Sequence, residues 1–191
     1  NVDVIDTTGC ELYSEMPLLK NGLLSFIIGG TICAFGEGVG IIFEKIGTDA
    51  EDIKTIVFFP PAKEGEYVVA DGVESIRTKA FYKCYELTEI TLPSTLKSIE
   101  EKAFFRCNLS EITLPDTLTF IGKDAFSYCY GLKEITIPDT ITQIDEYAFY
   151  NCTSLLKVTM QTKEESITLG KKWFPTDNGR DLSDLEIIWP Q

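Results

Sequence analysis

The sequence predicts a strand-rich solenoid with little helix, in which each coil of about 23 residues gives one strand to a parallel sheet on a concave face. Three observations predict it. First, four near-copies of one phrase run through the middle of the chain: AFYKCYELTEITLPSTLKSIEEK (80–102), AFFRCNLSEITLPDTLTFIGKD (103–124), AFSYCYGLKEITIPDTITQIDEY (125–147) and AFYNCTSLLKVTM (148–160). Their Ala-Phe starts lie 23, 22 and 23 residues apart. Second, each copy places apolar residues at Leu-x-x-Ile-x-Leu spacing or close to it. Third, a phenylalanine and a cysteine recur three residues apart in every copy.

A period of about 20–29 residues with this leucine spacing is the signature of a leucine-rich repeat solenoid, whose coils each touch mainly their neighbours. The chain reads as a single solenoid domain over 1–191. Residues 1–50 are expected to be degenerate N-terminal repeats or a cap, 51–160 the repeats, and 161–191 a C-terminal cap with the last strand. The apolar stretch 23–43 is long enough to cross a bilayer. Glu37 and five glycines interrupt it, and Phe26, Ile27, Ile28, Ile41, Ile42 and Phe43 favour strands, so short strands joined by turns are expected and membrane insertion is not. Gly36-Glu-Gly-Val-Gly40 lacks the Lys-Ser/Thr ending of a phosphate loop and reads as a hairpin turn.

Within a repeat, strand alternation sends Ile112 and Leu114 inward and Glu111 and Thr113 outward. Pro115 ends the strand, and Leu118 and Ile121 line the return arm. Across the copies the inward set is Leu87, Ile90, Leu92; Leu109, Ile112, Leu114; Leu132, Ile135, Ile137; and Leu155, Val158, Met160. Phe81, Phe104, Phe126 and Phe149 are expected to stack as an internal spine. Cys84, Cys107, Cys129 and Cys152 would lie one strand spacing apart with parallel Cβ directions. A disulfide needs converging Cβ atoms, so a buried free-thiol ladder is expected. Cys10 and Cys33 fall outside the register and could pair with each other.

A formal net charge of −13 argues against nucleic acid and anionic membranes as partners. The chain has no histidine, which removes the commonest general base and metal ligand. No catalytic residue, metal site or cofactor is assigned, and a monomer is expected. The sequence begins at Asn1, with no initiator Met, charged n-region or cleavage site, and so reads as a mature or truncated fragment.

The phrase Leu-x-x-Ile-x-Leu-Pro-x-x-Leu-x-x-Ile-x-x-x-Ala-Phe-x-x-Cys resembles the BspA-like, or Treponema-type, leucine-rich repeat family. Residues 80–160 carry the match. IKTIVFFPPAKEGEYVVADGVESIRTKAF (53–81) resembles a longer variant of the repeat, GIIFEK (40–45) the short strand before it, and LSDLEII (182–188) a final strand through Leu182, Leu185 and Ile187. The resemblance implies a secreted or surface-displayed protein of a host-associated microbe. It implies adhesion to a protein or glycan, host extracellular matrix among the candidates, and no catalysis. The alternatives are a passive spacer and, more remotely, an enzyme built on a carboxylate pair.

Outward strand positions form two candidate columns, Thr55, Glu89, Glu111, Glu134, Lys157, Asp184 and Val57, Thr91, Thr113, Thr136, Thr159, Glu186. Three glutamates about 5 Å apart repel one another, so folding alone gives little reason to keep them. The functional reading is an acidic strip for a basic segment or a cation; the plain reading is a solvated strand face with β-favouring threonines. A second surface carries Tyr82, Phe105 and Tyr150, with Tyr85, Tyr128 and Tyr130 nearby, and reads mainly as shielding of the coil wall. Asn108-Leu-Ser and Asn151-Cys-Thr fit the glycosylation acceptor pattern.

Overall fold

The computed structural model describes residues 65–174 and 184–190 in full, and before them five strands as backbone. These are β1 (Leu18–Leu19), β2 (Leu23–Ile28), β3 (Thr31–Phe35), β4 (Ile42–Lys45) and β5 (Ile53–Phe58). The suggested Cys10–Cys33 pair and the side-chain expectations before residue 65 lie outside the described residues. β1, β2 and β3 form an antiparallel sheet, which takes up residues 23–28 and 31–35 of the apolar stretch as strand, and no described helix is long and apolar enough to cross a membrane.

From residue 65 the chain is a parallel solenoid. Its strands are β6 (Gly65–Val68), β7 (Ser75–Ile76), β8 (Leu87–Thr91), β9 (Ser98–Ile99), β10 (Phe120–Ile121), β11 (Glu134–Ile137), β12 (Gln143–Ile144), β13 (Lys157–Met160), β14 (Thr168–Leu169) and β15 (Glu186–Ile188). One turn of 3₁₀ helix, Glu164–Ser166, is the single helical element among the described residues.

Each coil closes around apolar side chains. Strand alternation buries Leu87, Ile90, Leu109, Ile112, Leu114, Leu132, Ile135, Ile137, Leu155, Val158 and Met160, while Leu92 is half-buried. Val73, Ile76, Leu96, Ile99, Leu118, Ile121, Ile141 and Ile144 line the return arm, also buried. The four phenylalanines are fully buried and stacked: ring centroids are 4.9 Å apart from Phe81 to Phe104, then 5.2 Å at each of the next two steps. The stack ends at Trp173, which meets Phe149 edge-on at 6.5 Å. In earlier coils the Phe amide donates to the alanine carbonyl of the next coil; Phe149 donates instead to Trp173 O at 2.7 Å. Trp173-Phe174 thus replaces Ala-Phe, and the larger indole closes the end of the core.

The coil corner around Ala-Phe is tight. Among the described residues nine non-glycine residues have positive φ, one before each of Ala80, Ala103, Ala125, Ala148 and Trp173 (Lys79, Lys102, Asp124, Tyr147, Lys172) and one before each of Cys84, Cys107, Cys129 and Cys152 (Lys83, Arg106, Tyr128, Asn151). A left-handed L-residue costs roughly 1–2 kcal/mol. Burial of a whole Phe ring between two such residues offsets that. Cys84, Cys107, Cys129 and Cys152 are buried thiols outside any disulfide. Cys107 donates to Phe81 O at 2.9 Å, Cys129 to Phe104 O at 3.2 Å and Cys152 to Phe126 O at 3.0 Å, so each thiol joins its coil to the one before. A recurring threonine does the same on the return arm: Thr95 donates to Val73 O and Thr140 to Leu118 O, both at 2.8 Å.

A coil contributes two parallel strands rather than one, except that of residues 103–124, which contributes β10 alone. The return arm makes its own ladder through β7, β9, β10, β12 and β14, joined to β5 and closed by antiparallel β4. Isoleucines 76, 99, 121 and 144 stack in register along it, ending at Leu169. Two-residue strands suffice because each Ile is held by backbone bonds above and below.

The ladder of the strand phrases is interrupted. β6 pairs with β8, and β13 lies between β11 and β15 and pairs with both, but residues 109–115 between the two groups form no strand. The cause is local. Two residues separate Cys from Leu in the other coils (Tyr85-Glu86, Tyr130-Gly131, Thr153-Ser154), whereas Asn108 stands alone between Cys107 and Leu109. The corner before it stays in register, with Lys83 N bonded to Phe105 O at 2.8 Å. The missing residue therefore shortens the lead into the strand, and 109–115 keeps its inward leucines but not its ladder.

Candidate functional site

β6 and β8 pair with Glu66 opposite Glu89 and Val68 opposite Thr91. β11 and β13 pair with Glu134 opposite Lys157 and Thr136 opposite Thr159. β13 and β15 pair with Lys157 opposite Glu186 and Thr159 opposite Ile188. The solvent-facing column is therefore Glu66, Glu89, Glu111, Glu134, Lys157 and Glu186, all exposed. Thr91, Thr113 and Thr136 are exposed beside it, and Thr159 is half-buried.

Two expected members fall elsewhere. Thr55 pairs with Ser75 in the return-arm ladder, so it and Val57 belong to another sheet, and Glu66 takes the place given to Thr55. The long variant repeat holds three strands before its Ala-Phe, β5, β6 and β7, and the middle one, β6, lies beside β8. Asp184 is not opposite Lys157; Glu186 is. Leu185, Ile187 and Trp189 alternate onto the core face, and pairing Ile187 with Val158 carries Trp189 to the level of Met160. The spacing Leu182, Leu185, Ile187 had suggested a register two residues away.

Acidic crowding at this column raises one of its carboxyls. The Glu89 carboxyl is held above its ordinary range by the charge of Glu66, then by desolvation, then by the charge of Glu111, and Glu66 also hydrogen-bonds it. A carboxyl raised in the folded state adds stability below its unfolded pKa and loses it as pH rises through the folded value. Replacing Glu89 by Gln removes that loss. Glu89→Gln should therefore gain thermal stability relative to the parent at pH 7 and not at pH 3. A Tm difference that is the same at both pH values would show that the repulsion is already screened.

Between the two halves of the ladder lies a cleft of about 480 Å³, lined by Glu89, Ile90, Thr91 and Leu92 on one lip and Glu111 to Thr117 on the other, with Ser94 at its end. It is closed at both ends. Ser110 N donates to Thr88 O at 3.1 Å at one, and Thr117 Oγ1 to Ser94 O at 2.8 Å at the other. Sequence reading missed it, although the 22-residue step at Asn108 was its signal.

The aromatic surface is a wall. Tyr82 stacks on Phe105 at 5.2 Å, Ser127 interrupts the column, and Tyr128 leans across to meet Phe105, Tyr130 and Tyr150. Lys83 lies over Tyr82, and Arg106 over Phe105 and Tyr128 at 5.6 and 5.1 Å. The rings are thus covered by one another and by cations, while Tyr85 and Tyr130 remain exposed. Asn108 is exposed and Asn151 half-buried. Among the described residues, no three His, Cys, Asp or Glu side chains are grouped as metal ligands.

The profile of the BspA type leucine-rich repeat region matches residues 66–177 in six copies. Solved structures share the fold. A leucine-rich repeat protein of Eubacterium ventriosum is 23% identical with a TM-score of 0.65 over 79% of this chain and 38% of its own. The pneumococcal vaccine antigen PcpA is 21% identical, TM-score 0.58, over 80% and 46%. The T. pallidum leucine-rich repeat protein is 21% identical, TM-score 0.56, over 90% and 82%. The chain spans less than half of the first two. No curated protein matches the sequence. The match covers more than half of the chain, repeat by repeat over the coils described above, and the chain belongs to the BspA-type leucine-rich repeat family.

Proposed function

We propose that this chain is a non-catalytic binding module of a secreted or cell-surface protein of a host-associated microbe, engaging a protein or glycan partner through its strand face. The observation that carries the reading is the exposed column Glu66, Glu89, Glu111 and Glu134, kept although Glu66 and Glu111 both repel Glu89. Groups that a fold keeps at a cost to its own stability mark the surface where that cost is recovered, here by a basic partner. The placement outside the cell rests on family membership.

The test is binding of the purified chain to an array of extracellular-matrix proteins, mucins and glycans, beside a Glu89→Lys/Glu111→Lys/Glu134→Lys variant. The expected result is a saturable partner whose binding the variant loses and whose affinity falls with salt. A partner retained by the variant would move the site off the column. No saturable partner would favour a passive spacer.

A further inference from the structure

Outside the buried Phe spine a second chain of rings crosses the coil corner. It steps from Tyr82 to Phe105 and from Phe105 to Tyr128, 5.2 Å each, and from Tyr128 to Tyr130 at 6.1 Å. The first three rings are half-buried, whereas Tyr130 is 48% exposed. Tyr130 directly follows its cysteine, as Asn108 does one coil earlier and Tyr85 one coil before that. All three are exposed, so this column presents an amide between two phenols. Tyrosine gives such a surface an apolar ring face and a polar tip.

Arg106 supplies the charge. Its guanidinium lies over two of these rings, 5.6 Å from the centre of Phe105 and 5.1 Å from that of Tyr128. Lys97, Lys102 and Lys123 each hold a glutamate, but among the described residues no carboxylate pairs with Arg106. Carboxylates are plentiful on this chain, 30 acidic residues against 17 basic, so the omission is local. An exposed guanidinium cushioned on two rings is ordered before any ligand arrives, which lowers the cost of binding one. Its fork of N–H donors matches a carboxylate.

The backbone of this corner is already paired from coil to coil. Lys83 N donates to Phe105 O at 2.8 Å, Arg106 N to Ser127 O at 2.9 Å and Tyr128 N to Tyr150 O at 2.8 Å. A partner's main chain finds no strand edge here, and recognition falls to the side chains. A pyranose suits them: its C–H face stacks on a phenol ring, its hydroxyls meet the Asn108 amide, and a carboxylate on it meets Arg106. The net charge of −13 repels a run of acidic residues but opposes a single carboxylate far less. We propose that the outer wall at Arg106, Asn108 and Tyr130 binds a sugar unit bearing one carboxylate, a sialic or uronic acid, stacked on Tyr130 with its carboxylate on Arg106. Tyr130 and Arg106 both lie against Tyr128, so one unit spans them. The site is on the coil corner and does not rest on the strand-face reading.

The experiment immobilises the whole chain and measures, by biolayer interferometry, polymers displaying sialyllactose or a galacturonic acid disaccharide. Each runs beside the same polymer with its carboxylate reduced to the alcohol. The expected result is saturable binding of at least one acid polymer, at least about tenfold weaker after reduction. Arg106→Gln should bring the acid and reduced forms to equal affinity. Tyr130→Ala should weaken both by about fivefold or more, and both variants should keep the parent's far-UV spectrum. The Glu89→Lys/Glu111→Lys/Glu134→Lys variant should bind the acid polymer at least as well as the parent does, which separates this site from the strand face. No saturation by either acid overturns the proposal, as does equal affinity of the parent for acid and reduced forms, or a Tyr130→Ala variant that binds as the parent does. Hexaglutamate that binds more tightly than either sugar, and needs Arg106, also overturns it and gives the wall to an acidic protein segment.

Discussion

Phe126→Ala is expected to destabilise the chain by ~3–5 kcal/mol, measured by urea denaturation followed in far-UV circular dichroism. The ring is fully buried, with Phe104 on one face and Phe149 on the other, each at 5.2 Å and nearly parallel. Its loss leaves a void between two stacked rings, and the flanking left-handed residues Asp124 and Tyr128 hold the corner open against collapse. A solenoid has few contacts beyond neighbouring coils, so a weakened middle junction lowers the coupling of its two halves. The unfolding curve should therefore also broaden or split into two steps. A loss below about 1 kcal/mol would mean that neighbouring rings slide in to fill the space.

The second large effect is expected at Gly170. Its amide donates to Ile144 O at 2.7 Å, which brings its Cα against the backbone of the preceding coil. A Cβ there would overlap the backbone at Asp145 and Glu146, which cannot turn aside as a side-chain tip would. Gly122 holds the corresponding slot two coils earlier, where a Cβ would lie 2.8 Å from Glu100 C and Glu101 N. Overpacking costs roughly 1–3 kcal/mol, and Gly170→Ala belongs at or above the upper end, with Gly122→Ala below it. Thermal melts of the two variants give the ranking. Equal Tm values would show that the last coil lifts away freely.

The interior was legible in the sequence because burial repeats with the period. Ile90, Ile112, Ile135 and Val158 each follow a Leu by three and precede another apolar residue by two, and all four are buried. The column of carboxylates followed from the same alternation through its middle members. Its ends did not. Which strand lies beside β8 depends on the path of the chain through 53–68, where two strands compete for one neighbour, and pattern does not rank them. At the other end LSDLEII offers two apolar registers, and Trp189, one residue beyond the phrase, favours the one found. The second ladder escaped notice because two residues per coil carry too short a pattern to read, although they recur five times. The cleft is the reverse case: a single missing residue beside Asn108, plain in the alignment, whose consequence appears only when a ladder has to form there.

The thiol ladder gives this chain a built-in way to watch itself come apart. Burial pushes the Cys107 and Cys129 thiols well above their ordinary pKa, and Cys107, Cys129 and Cys152 each donate to a carbonyl of the coil before. A neutral, enclosed thiol does not react with an alkylating reagent; the thiolate, exposed, does. Each of these three sulfurs becomes reactive when its own junction separates, and the three sit one coil apart. Timed alkylation read by mass spectrometry would thus resolve the order in which junctions part, and show whether this protein unzips from one tip or fractures in the middle.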